Sequence, residues 1–290
     1  MDDDVRRLSR AFGPVAEAYD RGRPDFPREA AAWLVGRDPD RPATVLELGA
    51  GTGKLTRALV ALGHDVHATD PDPAMLAVLR RHLPDVPTSE SGAEEIPLPD
   101  RSVDVVVAGQ SFHWFDHERA LPEIARVLRP GGYLALAWNV RDERIPWVRK
   151  LGRALGAEAA VEDASTADAV VQSDLFGFVD EKTFSFWQGV DRESIVDMAA
   201  SRSYVATLDD TARQATLDAV IALYDDYGRG MDGMRIPYDC RCFRAVVTER
   251  PGSADEPGDP ADGDPGTEPP DGPSGPSDGT DTDMLLIDFR

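Results

Sequence analysis

"LELGAGTGKLT", from Leu46 to Thr56, is the stretch on which the fold turns. It begins inside an apolar run, "ATVLELGAG", that reads as a strand. Gly49, Gly51 and Gly53 then follow at every second position, and from Lys54 "KLTRALVALG" reads as a helix closed by Gly63. Glycine permits positive φ and lets a ligand approach the backbone closely. The start of a helix adds free N–H groups and partial positive charge. In an open α/β sheet, this first strand–helix turn lies at the carboxyl edge, where ligands bind.

The pattern repeats downstream. "DVHATD" is a short strand and "PAMLAVLRRHLP" a helix stopped by Pro84. "VPTSESG" is a candidate third strand, and "SVDVVVAGQ" a buried fourth. "HERALPEIARVLRPGG" reads as a helix ending at Pro130-Gly131, and "YLALAWN" as a fifth strand. Apolar strands alternating with helices predict a parallel sheet covered on both faces. Right-handed crossovers leave few topologies open. The fold class is α/β: a doubly wound, mostly parallel, seven-stranded Rossmann-like sheet with N-terminal helices and a helical insertion.

The chain divides accordingly. Residues 1–42 form an N-terminal helical cap and 43–140 the α/β core. Residues 141–236 form a mainly helical lid with one strand at "FVDEKTFSFWQGV". Residues 237–250, "PYDCRCFRAVVT" onward, return to the sheet as a final strand. Residues 251–290 are an acidic tail, expected to be disordered because little in it can be buried. Its apolar tip, "MLLIDF", is a candidate for weak docking on a partner.

The glycine spacing separates two ligand classes. A dinucleotide fold calls for G-x-G-x-x-G, whereas this run is E-x-G-x-G-x-G, with Glu47 two residues before the first glycine. An acid there repels a pyrophosphate and suits an ammonium or sulfonium group. Asp70, 17 residues past Gly53, ends the second strand. A carboxylate at that place accepts both hydroxyls of a ribose; NAD enzymes use the same device, and an N-cap role before Pro71 is the structural alternative.

The run E-x-G-x-G-x-G resembles the first motif of the class I S-adenosylmethionine (SAM) methyltransferases. "AEEIPLPD", at 93–100, and "LRPGGYLAL", at 128–136, extend the resemblance. "AYDRGRPDFP" upstream and "SFHWF" after the fourth strand are similar to the type 11 small-molecule group, relatives of trans-aconitate methyltransferases. The resemblance implies SAM as cofactor, with Glu47, Gly49, Ala50, Gly51, Thr52 and Gly53 against its amino-acid part. It implies Asp70, Pro71 and Met75 near the ribose, Ala93 and Glu94 bordering the adenine, and Gln110 beside the methionine part. Tyr19 and Arg23 would face the cofactor from the cap, with a surface position the alternative for Arg23. The implied activity is methyl transfer to a small molecule, with a hydroxyl or carboxylate oxygen favoured. Two alternatives stand beside it: an NAD(P)-linked oxidoreductase on a similar fold, and a SAM-binding protein without transferase activity.

"GQSFHWFDH", Gly109 to His117, carries two histidines four apart. The metal-binding helix pattern requires a Glu after the first histidine, and Trp114 stands there. His113 is therefore a candidate base or substrate contact, or part of a packed wall with Trp114. His117 belongs to the next helix, with Asp116 as its N-cap. Trp114, Arg202 and Tyr204 are candidate substrate contacts. Arg141 and Arg144 join them if the acceptor is a carboxylate. No metal is expected.

Composition narrows the partners. The 290 residues carry a net charge of −22, which disfavours nucleic acid and anionic membrane. The last forty residues hold eleven acids against one arginine, so the remainder is acidic as well. Cys240 and Cys242 place both thiols on one face of a strand and read as reduced structural residues. "MDDDVRR" has no apolar segment behind it, and no run approaches ~18 apolar residues. The expectation is a cytoplasmic protein without a membrane span.

Overall fold

The computed structural model describes residues 16–36, 41–155, 167–228 and 233–248. The first fifteen residues of the expected N-terminal helical cap, the acidic tail and its apolar tip lie outside them. Among the described residues no helix is long and apolar enough to cross a membrane.

Among the described residues two helices lead into the sheet, α1 (Ala16–Gly22) and α2 (Arg28–Val35). Then β1 (Thr44–Leu48), α3 (Lys54–Val60), β2 (Asp65–Thr69), α4 (Pro73–His82) and β3 (Thr88–Ser89) alternate. β4 (Val103–Gly109) leads through a 3-10 turn at Phe112–Trp114 into α5 (His117–Val127) and β5 (Leu128–Arg141). The insertion contains α6 (Pro146–Ala154), α7 (Asp168–Val171), β6 (Phe176–Val190), α8 (Arg192–Ala200), α9 (Ser203–Thr207) and α10 (Asp210–Tyr227). β7 (Met234–Val247) follows α10.

The strand order is β3-β2-β1-β4-β5-β7-β6. β1 to β5 pair in parallel, and β7 runs antiparallel between β5 and β6. β4 is buried along nearly its whole length, as a central parallel strand must be. Alternate residues feed two cores. Val45, Val105, Val107 and Ala135 meet Leu34, Leu55 and Leu59 of α2 and α3 on one face. Leu46, Val106, Leu134 and Leu136 meet Leu121, Ile124 and Val127 of α5 on the other. Each such aliphatic side chain, fully buried, is worth about 1.5–3 kcal/mol. A third cluster packs α6, α8 and α10 over the outer ends of β6 and β7, through Leu151, Ile195, Met198 and Tyr238.

Several boundaries differ from the sequence reading. The helix expected to reach Gly131 stops at Val127 and strand pairing starts at Leu128. Pairing with β4 slips between Val103 and Val105, where Gly131 takes a positive φ. Pro130 has no N–H for the ladder, so the chain bulges there rather than continuing the helix. Asp116 occupies the N-cap of α5, but its side chain makes no cap hydrogen bond. The cap of α4 is Asp72 rather than Asp70; its side chain accepts from the Ala74 N–H at 2.9 Å, with Pro73 in the first turn. Cys240 and Cys242 are free and buried on one face of β7, their sulfurs 3.7 Å apart.

Candidate active site

β1, β2, β4 and β5 present their carboxyl ends along one edge of the sheet, and the glycine turn rises from that edge. Gly49, Gly51 and Gly53 have φ of +66°, +57° and +87°. At Gly49 the need is double: a Cβ there would also stand 2.5 Å from the Cβ of Ser111. Ser111 in turn donates its hydroxyl to the Leu48 carbonyl at 2.7 Å, which joins the ends of β1 and β4. The Ala50 N–H donates to Thr69 O and the Gly51 N–H to Asp70 Oδ2, at 2.9 and 2.8 Å, which joins the turn to β2.

The two acids of the turn differ in environment. Glu47 is 1% exposed, and its Oε2 accepts from the Thr56 hydroxyl at 2.6 Å. Burial pushes its carboxyl up to about 8, against the opposing pull of that hydrogen bond. Asp70 is 8% exposed and accepts two backbone N–H groups, from Gly51 and from Asp72. Burial raises it too, but only to about 6, because those two hydrogen bonds favour the ionised form. At neutral pH Glu47 is mostly neutral and Asp70 mostly charged. Each Asp70 oxygen keeps a free lone pair beyond its backbone bond.

Beside the turn lies a cavity that opens to solvent. Glu47, Gly49, Ala50, Gly51, Thr52 and Gln110 line it, as do Tyr19 and Arg23 from the cap. Eight of the expected residues thus meet around one space. Gly53 lies just behind, as the N-cap of α3 packed against Leu79. Asp70, Pro71 and Met75 stand outside the lining at the β2–α4 turn, and the Met75 methyl lies 3.6 Å from where a Gly51 Cβ would be. Ala93 is buried in the core on the α5 side of the sheet. Glu94 accepts the Asp116 N–H at 2.8 Å, ahead of α5.

Gln110 carries a positive φ of +59° without being glycine. Such a conformation costs about 1–3 kcal/mol and persists where its surroundings over-determine it. Its N–H donates to Ala137 O at 2.9 Å and its side chain to Asn139 O at 3.0 Å. His113 follows in the 3-10 turn, half-buried, with its ring centroid 4.7 Å from that of Trp114. His117 is in α5, its Nε2 3.0 Å from Phe112 O and its ring stacked on Phe112. The two histidines therefore do not share a helix face. Arg202 is buried at the N-cap of α9, whereas Tyr204 is 52% exposed.

The cap wall contains residues that sequence reasoning missed. Lys54, buried to 10% side-chain exposure, donates to Asp25 Oδ1 at 2.9 Å, and Asn139 Nδ2 reaches Asp25 O at 3.4 Å. Both Lys54 and Asn139 line the cavity, together with Pro24 and Phe26. A Cβ on Gly109 would stand 2.9 Å from the Phe26 ring, so β4 must end in glycine for the cap to close. Arg23 donates to the Ser201 hydroxyl and carbonyl, both at 3.2 Å, and lies over the Tyr19 ring. Gln188 of β6 holds Gly22 O at 3.0 Å. A signal for Asn139 did exist: it is a polar residue ending the apolar "YLALAWN" run at the ligand edge. Lys54 was visible as one of only three lysines in the chain, set directly after the third glycine.

Comparison with known proteins finds methyltransferases. Residues 46–136 match the methyltransferase domain family. An uncharacterized methyltransferase of Mycobacterium tuberculosis is 44% identical over 244 residues, 83% of this chain and 98% of its own length. A malonyl-[acyl-carrier protein] O-methyltransferase of Methylococcus capsulatus is 34% identical over 58% of this chain and 64% of its own. Among solved structures, one described as a type II methyltransferase from Anaeromyxobacter dehalogenans superposes with a TM-score of 0.57 at 24% identity. That match covers 78% of this chain and 97% of the other.

Proposed function

The chain belongs to the class I SAM-dependent methyltransferases, and from that premise we propose that it moves the SAM methyl group to an oxygen of a small-molecule acceptor. The observation that carries the reading is the shared cavity, in which the glycine turn and Glu47 face Tyr19 and Arg23 of the cap. The chemistry of its walls fits the cofactor. SAM offers ammonium, ribose hydroxyl and adenine amino donors, and the site is rich in acceptors. Asp70 keeps a lone pair on each oxygen for the ribose.

In this reading the glycine turn, Ala50, Thr52 and Gln110 hold the methionine end, and Gly53 sets the start of α3. Glu47 lies beneath the ammonium. Asp70 holds the ribose, flanked by Pro71 and Met75. Ala93 and Glu94 shape the wall at the adenine end, Glu94 by fixing the Asp116 N–H. Tyr19 and Arg23 close the site from the cap, while Trp114, Arg202 and Tyr204 border the acceptor.

The bound cofactor supplies an activated methyl group. The protein must align a nucleophile with it and exclude water, and orientation of that kind supplies ~7–11 kcal/mol. A general base adds roughly 10²–10⁴-fold. His113 fills that role for a hydroxyl acceptor; a carboxylate acceptor needs none. The oxygen preference is supported by likeness to the Methylococcus O-methyltransferase. Calorimetric titration with SAM or S-adenosylhomocysteine tests the reading. Micromolar binding is expected for the native protein, and its loss in Asp70→Ala. Absence of heat with both ligands refutes the cofactor assignment.

A further inference from the structure

We propose that Arg141, with Asn139 beside it, binds the methyl acceptor, and that the acceptor carries an oxyanion, a carboxylate or a phosphate ester. The proposal rests on the methyltransferase reading of the neighbouring cavity.

Both residues end β5 on the ligand edge. Side chains two apart on a strand share a face and stand about 6.6 Å from each other along it. Asn139 lines the cavity and is 3% exposed. Its Nδ2 donates to Asp25 O, which settles the orientation of the amide, and its Oδ1 has no partner. Arg141 points from the same face one step further out. It is 8% exposed, yet its Nε has no hydrogen-bond partner. Its Nη2 stands 3.6 Å from Glu143 Oε1, outside hydrogen-bond reach. A buried guanidinium with an unfilled donor is costly unless something fills it.

Geometry and charge say what fills it. The planar fork of arginine matches a carboxylate or phosphate with two parallel hydrogen bonds. The cations that line the cavity are committed, Lys54 to Asp25 and Arg23 to Ser201. Register sets Arg141 opposite Tyr238 in β7, and the Tyr238 hydroxyl reaches the Met198 sulfur in α8. That helix runs into Ser201, which Arg23 holds. Arg141 is thus linked through Tyr238 and α8 to the Ser201 that Arg23 holds, in a chain whose net charge is −22. A guanidinium with an unfilled donor attracts an anion that an acidic surface otherwise repels. The unpartnered Asn139 Oδ1 then accepts from a hydroxyl or amide of the same molecule.

The test is calorimetry on the full chain saturated with S-adenosylhomocysteine, titrated with glutarate, benzoate, inorganic phosphate and dimethyl glutarate. At least one anion is expected to bind, with the neutral ester at least tenfold weaker than glutarate. Arg141→Gln should erase the anion preference while leaving S-adenosylhomocysteine affinity within twofold. Glu143→Gln, which removes the nearby competing carboxylate, should tighten anion binding two- to threefold. Tighter binding of phosphate than of either carboxylate assigns the anion to a phosphate ester, and the reverse to a carboxylic acid. The proposal is overturned if no anion binds the loaded protein, or if Arg141→Gln keeps the native preference. Should Arg141→Gln not fold, Arg141→Lys replaces it, and unchanged anion affinity in both Arg141→Lys and Glu143→Gln overturns the proposal. Failure of S-adenosylhomocysteine itself to bind strikes instead at the methyltransferase reading of the cavity.

Discussion

Glu47→Gln should change how the stability of the fold depends on pH, by an amount the structure allows to be worked out. The carboxyl is buried, and its folded-state value stands at about 8 against an ordinary 4.5. A raised value means that the native state holds the proton more tightly than the unfolded chain. This contribution is fully present below pH 4.5 and is lost as pH rises through 8. Between pH 6.5 and 8.5 the loss comes to about 2 kcal/mol. For a domain of this size that lowers Tm by roughly 4–8 °C. Asp70 has largely finished titrating below this window, since its value is about 6. Burial depresses His64 and His67, and their effect is common to both proteins. Gln keeps an oxygen for the Thr56 hydroxyl and has no proton to lose. The assay is thermal unfolding of both proteins, without cofactor, at several pH values across the window. The native protein should lose about 2 kcal/mol more than the variant over that range. Parallel curves would refute the picture of Glu47 as a buried, neutral acid beneath the glycine turn.

Gly49→Ala combines a positive φ, which costs an L-residue about 1–2 kcal/mol, with a 2.5 Å approach to Ser111 that adds about 1–3 kcal/mol of overpacking. A marked fall in Tm and loss of S-adenosylhomocysteine binding are expected, and a native Tm contradicts the geometry of the turn. His113→Gln should keep S-adenosylhomocysteine affinity within twofold and slow transfer to a hydroxyl acceptor by roughly 10²–10⁴-fold. Full turnover with such an acceptor removes His113 from the role of base.

The sheet was legible because its signals are local. Apolar runs such as "SVDVVVAGQ" alternate with helices of period 3.6, and the glycine turn needs only five consecutive residues to declare itself. β7 was placed in the sheet by its position after a helical stretch, and only the pairing with β5 and β6 gives its reversed direction. Boundaries failed where a local signal was ambiguous. At Leu128–Gly132 a helix-stopping Pro-Gly pair also suits a strand bulge, and pairing with β4 decided the matter. Two aspartates near the start of α4 could each cap it, and the geometry chose Asp72.

The cap side of the site was less legible because its contacts are long-range. Arg21 to Asp197, Arg23 to Ser201 and Gln188 to Gly22 join residues 176, 178 and 166 positions apart. No periodicity or spacing links such pairs, so Arg23 read equally well as a surface residue. The ionisation of Glu47 was hidden for a related reason. An acid two residues before a glycine turn reads as a charge offered to the ligand, yet charge is set by solvation. Glu47 sits in the wall of β1 with Thr56, nine residues on, as its hydrogen-bond partner. Asp70 is nearly as buried but takes two backbone N–H groups, and it stays mostly ionised at neutral pH. Two acids that look equivalent along the chain therefore enter the site in different states. Asp70 brings charge to the ribose end, and Glu47 acquires it at neutral pH only where a cation placed above it lowers its pKa.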